Sequence, residues 1–152
     1  MKHSNLSLVL TEFVGAFTRR PAYLQVAALC TRGEGSQLQV LMIRSLQTQR
    51  WIIPKGWPME DRTLAGAALQ EAWEEAGVQG TVSEETVGAY TYRKIRKNGL
   101  PVPCRAQVFH VQVTGLADTF PEVKKRRRKW MRPQEAATVV AEADLATLLR
   151  SL

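Results

Sequence analysis

The chain has 152 residues, 45% hydrophobic and 23% charged, the ordinary composition of one globular domain with its own core. It contains no run of about 20 apolar residues, which excludes a membrane-spanning helix, and the LSLVL near its start is too short and too soon followed by Glu12 for a secretory signal. The net charge of +7 suits an anionic partner such as a nucleotide, a polyphosphate or a nucleic acid.

Residues 4–18 read as an N-terminal helix that ends before Arg19-Arg20-Pro21. LQVAALCT (24–31) and LQVLMIR (38–44) have the composition of strands, and Gly33, Gly35 and Ser36 between them mark a hairpin loop. WIIP (51–54) is a short apolar run stopped by Pro54, and a loop with Gly56 and Pro58 follows. Thr63 is placed to cap a helix over Leu64–Ala76, a run dominated by Ala, Leu, Gln and Glu, with Gly77 just past its end. Leu64, Ala68, Ala72 and Ala76 form its packing row. Two longer strands are predicted near 80–95 and 102–113, joined by a turn at Lys97-Asn98-Gly99. A last strand falls at Lys129–Met131, and Pro133 opens a C-terminal helix with Ala136, Ala137, Val140, Leu145, Leu148 and Leu149 on its apolar side. Strands, a helix, more strands and a helix argue for an α+β fold or a mixed sheet between helices. Cys30 and Cys104 lie in predicted strands without a CxxC partner; they read as free buried thiols in a reducing, cytoplasmic setting.

The chemistry concentrates at Glu71, Glu74 and Glu75. At about 100° per residue all three project from one helix face. Their repulsion grows as the site is buried, because two charges about 4 Å apart interact by about 4 kcal/mol at an effective dielectric of about 20. A hard divalent cation such as Mg²⁺ or Mn²⁺ would offset it. An isolated ExxEE triplet is more often a solvated acidic face; here Gly56 and Pro58 precede it and Gly77-Val78 follow.

That stretch, 56–78, resembles the Nudix box, G-x5-E-x7-R-E-U-x-E-E-x-G-U with U aliphatic. Gly56, Glu71, Ala72, Glu74, Glu75, Gly77 and Val78 match the pattern, whereas Arg62 replaces its first Glu and Gln70 its Arg. With RWIIPKG before the box and a basic-Trp segment before the last helix, residues 20–142 resemble the diphosphoinositol polyphosphate phosphohydrolase branch. The resemblance implies one Nudix-type domain over 1–152, a mixed β-sheet sandwich flanked by helices with a loop–helix–loop motif, and residues 1–20 as an extension. It implies a Mg²⁺- or Mn²⁺-dependent hydrolase that cleaves a pyrophosphate bond in a nucleoside polyphosphate or an inositol pyrophosphate. Gly56, Glu71, Glu74 and Glu75 become metal ligands; Glu71, Glu75 and the later loop residue Glu122 become the catalytic carboxylates, with Glu71 and Glu122 the candidates for general base. The family's arginine at position 70 orients the neighbouring glutamate and pairs with box carboxylates. Gln70 keeps hydrogen bonding without the charge, and Arg62 is expected to pair with a nearby acid.

A highly phosphorylated substrate needs several cations, and Arg44, Arg50, Lys55, Arg93, Lys94, Arg126 and Arg128 are the candidates, the last two within the basic run 124–129. Strand alternation puts Tyr92, Lys94 and Arg96 on one face and Arg93 on the other. Of the tryptophans, Trp57 is the candidate for stacking, because it follows Gly56. Two other readings stand beside the polyphosphate hydrolase: a 5′-RNA pyrophosphohydrolase, and a non-catalytic Nudix-like module that binds a nucleotide or RNA. No membrane partner is expected.

Overall fold

The structure is a computed structural model and describes residues 22–152; the helix expected at 4–18 lies outside them. In chain order the elements are β1 (Tyr23–Arg32), a 3₁₀ turn at Gly35–Gln37, β2 (Gln39–Arg44), β3 (Trp51–Ile52), β4 (Lys55–Gly56), α1 (Leu64–Ala76), β5 (Val78–Ile95), β6 (Pro101–Leu116), β7 (Arg128–Met131), α2 (Pro133–Val139) and α3 (Ala143–Arg150).

The strands form one mixed sheet in the order β3-β2-β1-β6-β5, with β4 paired to β1 and β7 to β2. Its centre is the parallel pairing of β1 with β6, from Tyr23↔Cys104 to Thr31↔Gln112. Side chains alternate across β1 and separate two cores. Val26, Ala28 and Cys30 pack with the alanines of α1 on one face. Ala27 and Leu29 pack with Tyr90, Ala136, Leu145 and Leu149 on the other. The α+β sandwich with helices on both faces is therefore observed.

One topological detail sets up the site. β2 pairs with β1 only at Thr31 and Arg32. Further back along β1, β4 takes over, with Val26↔Gly56 and Ala27↔Lys55, and Ala28 donates to the Pro54 carbonyl at 2.9 Å. The sequence alone predicts only a loop at Lys55–Gly56. Two residues are too few to show strand periodicity, and their partner lies about 30 positions back.

Helix α1 runs over the predicted residues. Thr63 Oγ1 accepts the Gly66 amide at 3.0 Å, and Gly77 ends the helix at φ 68°. A β-carbon on Gly77 would press on Phe120 and Arg128. Buried Ala65, Ala67, Ala68, Ala72 and Ala76 let the helix lie close on the sheet. The single C-terminal helix expected from Pro133 is corrected to two. Val140 leaves the helical conformation at ψ 149°, and Glu142 precedes α3 in extended geometry. The apolar row spans both pieces, so periodicity alone hides the break: Ala136, Ala137, Leu145 and Leu149 share one core.

Candidate active site

The split in the sheet brings β4 under the last turns of α1. Glu75 points inward at 8% exposure, and the Lys55 amide donates to its Oε2 at 3.3 Å. Gly56 lies against Glu71 so closely that a β-carbon there would overlap the Glu71 carboxylate. Glycine is needed at 56 for this approach, not for an unusual φ.

The loop after β6 closes the site from the other side. The Glu122 amide donates to the Glu74 carbonyl at 3.0 Å, so this loop is fastened to the end of the box helix. A short turn then presents Arg126, whose amide bonds the Glu122 carbonyl at 3.2 Å. The Arg126 guanidinium sits between three elements: Nε bonds Glu122 Oε2 at 3.0 Å, Nη2 lies 3.5 Å from Glu75 Oε1, and Nη1 donates to the Arg44 carbonyl at 3.0 Å. Its side chain is 9% exposed.

Proton affinities follow from this crowding. Burial lifts the Glu71 carboxyl to about 7, helped by the charges of Glu74 and Glu122 and opposed by Arg126. Burial also holds Glu75 above the ordinary carboxylate range, against the pull of Arg126 and Lys55. Lys55 is shifted down by the same desolvation, opposed by Glu75 and by Glu142 from the segment between α2 and α3. Burial thus drives Glu75 and Lys55 alike toward their neutral forms.

The other candidates divide. Glu74 is engaged by Gln70, whose Nε2 donates to Glu74 Oε1 at 3.1 Å. Lys55 Nζ lies 4.8 Å from the centre of the Tyr92 ring, and Lys94 Nζ 4.9 Å from that of Trp57, so the Tyr92/Lys94 face turns toward β4. Trp57 is 43% exposed, with its ring edge-to-face with Tyr23 at 6.2 Å. Arg44 stacks on Trp51 and donates to the Gln49 carbonyl, so it shapes its own loop. Arg128 caps the box helix, with Nη1 on the Ala76 carbonyl at 2.7 Å. Arg50 and Arg93 are exposed and make no ion pair among the described residues. Arg62 makes none either: the expected pairing of Arg62 with an acid is corrected to Arg126, reached from a loop more than 60 residues later.

The site suits a hard cation by its donor chemistry. Oxygen donors predominate, a glycine leaves room against Glu71, and burial, aided by the charges of Glu74 and Glu122, raises the proton affinity of Glu71. Among the described residues no three acidic, histidine or cysteine side chains are already gathered as an ion cage, and Glu74 is engaged by Gln70. No helix among these residues is long and apolar enough to cross a membrane.

Comparison with known proteins agrees with this architecture. The NUDIX domain family matches residues 22–152. Human diphosphoinositol polyphosphate phosphohydrolase 3-beta is 30% identical over 118 residues, covering 76% of this chain and 68% of that protein. Nudix hydrolase 12, mitochondrial, of Arabidopsis thaliana is 34% identical over 104 residues, 66% of this chain and 51% of that protein. The chain therefore spans about half the length of this plant relative. In fold, a NUDIX hydrolase from Nitrosomonas europaea superposes with a TM-score of 0.65 at 14% identity, covering 86% of this chain and 87% of that one. The C. elegans Ap4A hydrolase binary complex does so with a TM-score of 0.61 at 21% identity, covering 85% and 93%. With the box at 56–78 seated between β4 and the Glu122 loop, the chain belongs to the Nudix family.

Proposed function

We propose that this chain is a divalent-metal-dependent hydrolase that cleaves a pyrophosphate bond in a small polyphosphate, a nucleoside polyphosphate or an inositol pyrophosphate. The observation that carries the reading is the packing of the Glu71 carboxylate on Gly56 beside a Glu75 held by the Lys55 amide. Glu71, Glu75 and Gly56 would hold Mg²⁺ or Mn²⁺, with Glu74 joining once it leaves Gln70. When bound, the metal supplies charge neutralisation at the phosphate oxygens and a more acidic water. The chain's own residues do the rest. Glu71 accepts the proton of the attacking water, with Glu122 the alternative acceptor on the opposite wall. Lys55 and Lys94 line the approach and bind phosphate oxygens. Phosphoryl transfer of this kind depends mostly on positioning and charge, which a rigid helix end and a fastened loop provide.

A substrate panel tests the reading: diadenosine polyphosphates, inositol pyrophosphates, ADP-ribose, nucleoside triphosphates and 5′-triphosphate RNA, each with and without Mg²⁺ or Mn²⁺. Metal-dependent release of phosphate-containing products from a small polyphosphate is the expected result. Turnover of RNA alone would move the substrate to RNA ends. Binding without turnover of any member would make the chain a ligand-binding module.

A further inference from the structure

The box lacks its arginine, and position 70 is a neutral glutamine that reaches only Glu74. The site nevertheless has a guanidinium, delivered from outside the box. We infer that Arg126 supplies the positive charge missing at position 70 and acts as a positioning residue for the metal-binding carboxylates, rather than as a substrate-phosphate ligand. This rests on the proposed hydrolase reading.

Three observations carry it. Arg126 is the only arginine among the described residues that forms an ion pair, and both of its partners, Glu75 and Glu122, belong to the site. Two of its nitrogens hydrogen-bond the post-β6 loop and the end of β2 and the third pairs with Glu75 on α1, which holds the planar fork in one orientation. Its side chain is 9% exposed, and the guanidinium is already committed to protein oxygens. The neighbouring cations of the run do otherwise: Arg128 caps the box helix, and Lys129 pairs with Glu135 outside the site.

The crowding of carboxylates points the same way. Glu71, Glu74, Glu75 and Glu122 lie close enough to influence one another, Gln70 leaves them without a guanidinium at position 70, and Arg62, which adds a charge to the box, forms no ion pair among the described residues. Arg126 restores that charge from the far wall. In doing so it ties Glu75 on the helix to Glu122 on the loop, so the two sides of the site keep a fixed spacing. Residues that orient metal ligands from behind typically contribute about 10- to 100-fold to metal affinity or activity.

The test is a double-mutant cycle on Gln70→Arg and Arg126→Gln, read by Mn²⁺ affinity (electron paramagnetic resonance of the free ion) and by separate kcat and KM values. Arg126→Gln is expected to weaken Mn²⁺ binding about 10- to 100-fold and to lower kcat with little change in KM. Gln70→Arg is expected to recover much of both losses in that background. Arg126→Lys keeps the charge without the fork, so it should fold if the glutamine variant does not, with a smaller loss. A rise in KM alone would make Arg126 a substrate ligand and overturn the inference. Unchanged Mn²⁺ affinity, or a Gln70→Arg effect equal in both backgrounds, would overturn it as well. If the native protein binds no Mn²⁺, the hydrolase reading fails instead, so the two failures are distinguishable.

Discussion

Gly56 lies against Glu71 with no room for a β-carbon between them, and this makes a demanding prediction. Gly56→Ala puts a methyl group into the Glu71 carboxylate while leaving the allowed backbone conformation alone. We expect turnover to fall by about two orders of magnitude, comparable to removing one preorganised polar contact, with little change in urea midpoint. Steady-state rates beside a denaturation curve check both halves. The raised carboxyls give a second prediction. A carboxyl whose folded pKa lies above its unfolded value binds more protons when folded. Its contribution is therefore full below the unfolded pKa and is lost as pH rises through the folded one. For Glu71 that window runs from the ordinary value of 4.5 up to about 7. In chelator the melting temperature should fall as pH rises across this window, and Mn²⁺ should reverse the slope because it binds the ionised form. Melting curves at stepped pH, with EDTA or with Mn²⁺, measure it. At this scale the glutamates and Gly56 were legible in the sequence through their spacing. Arg126 was legible only as one cation of a run, because nothing in 124–129 marks which member turns inward.

Helix α1 places three carboxylates by its capping and its small-residue face. Thr63→Ala removes the bond to the Gly66 amide and should cost about 1 kcal/mol by urea denaturation. Gly77→Ala meets a left-handed φ of 68° together with Phe120 and Arg128, and should cost more, about 2 kcal/mol, while also disturbing the loop that carries Glu122. The ends of this helix could be read from the sequence because cap, propensity and C-terminal glycine agree over one continuous stretch. Strand β4 could not, since its stability comes from β1 rather than from its own two residues. The break between α2 and α3 was hidden for a related reason. Neither Val140 nor Glu142 is a Gly or Pro that would mark a break, and residues of both pieces pack into one core.

For the whole molecule, the parallel β1–β6 pairing joins segments about 80 residues apart and was not legible from local pattern. The class of fold was, because the order of strands and helices limits the layers that can bury both faces of a sheet. The net charge of +7 acts at this scale too. A polyanionic substrate should be drawn in by the whole surface. Its KM should rise several-fold on going to about 1 M salt, where the screening length is only about 3 Å, while kcat changes less because the buried ion pairs of Arg126 are screened less. The central claim is that the carboxylates on Gly56 and β4 are the machinery of a metal-dependent cleavage. It is tested most directly by initial rates of pyrophosphate-bond hydrolysis on the best substrate, after chelation and after Mn²⁺ is restored, with Glu71→Gln and Glu75→Gln measured alongside. The account predicts no rate in chelator, full recovery with Mn²⁺ in the native chain, and a loss of at least about 100-fold in both folded variants. A rate that persists in chelator, or that survives in either variant, would contradict it.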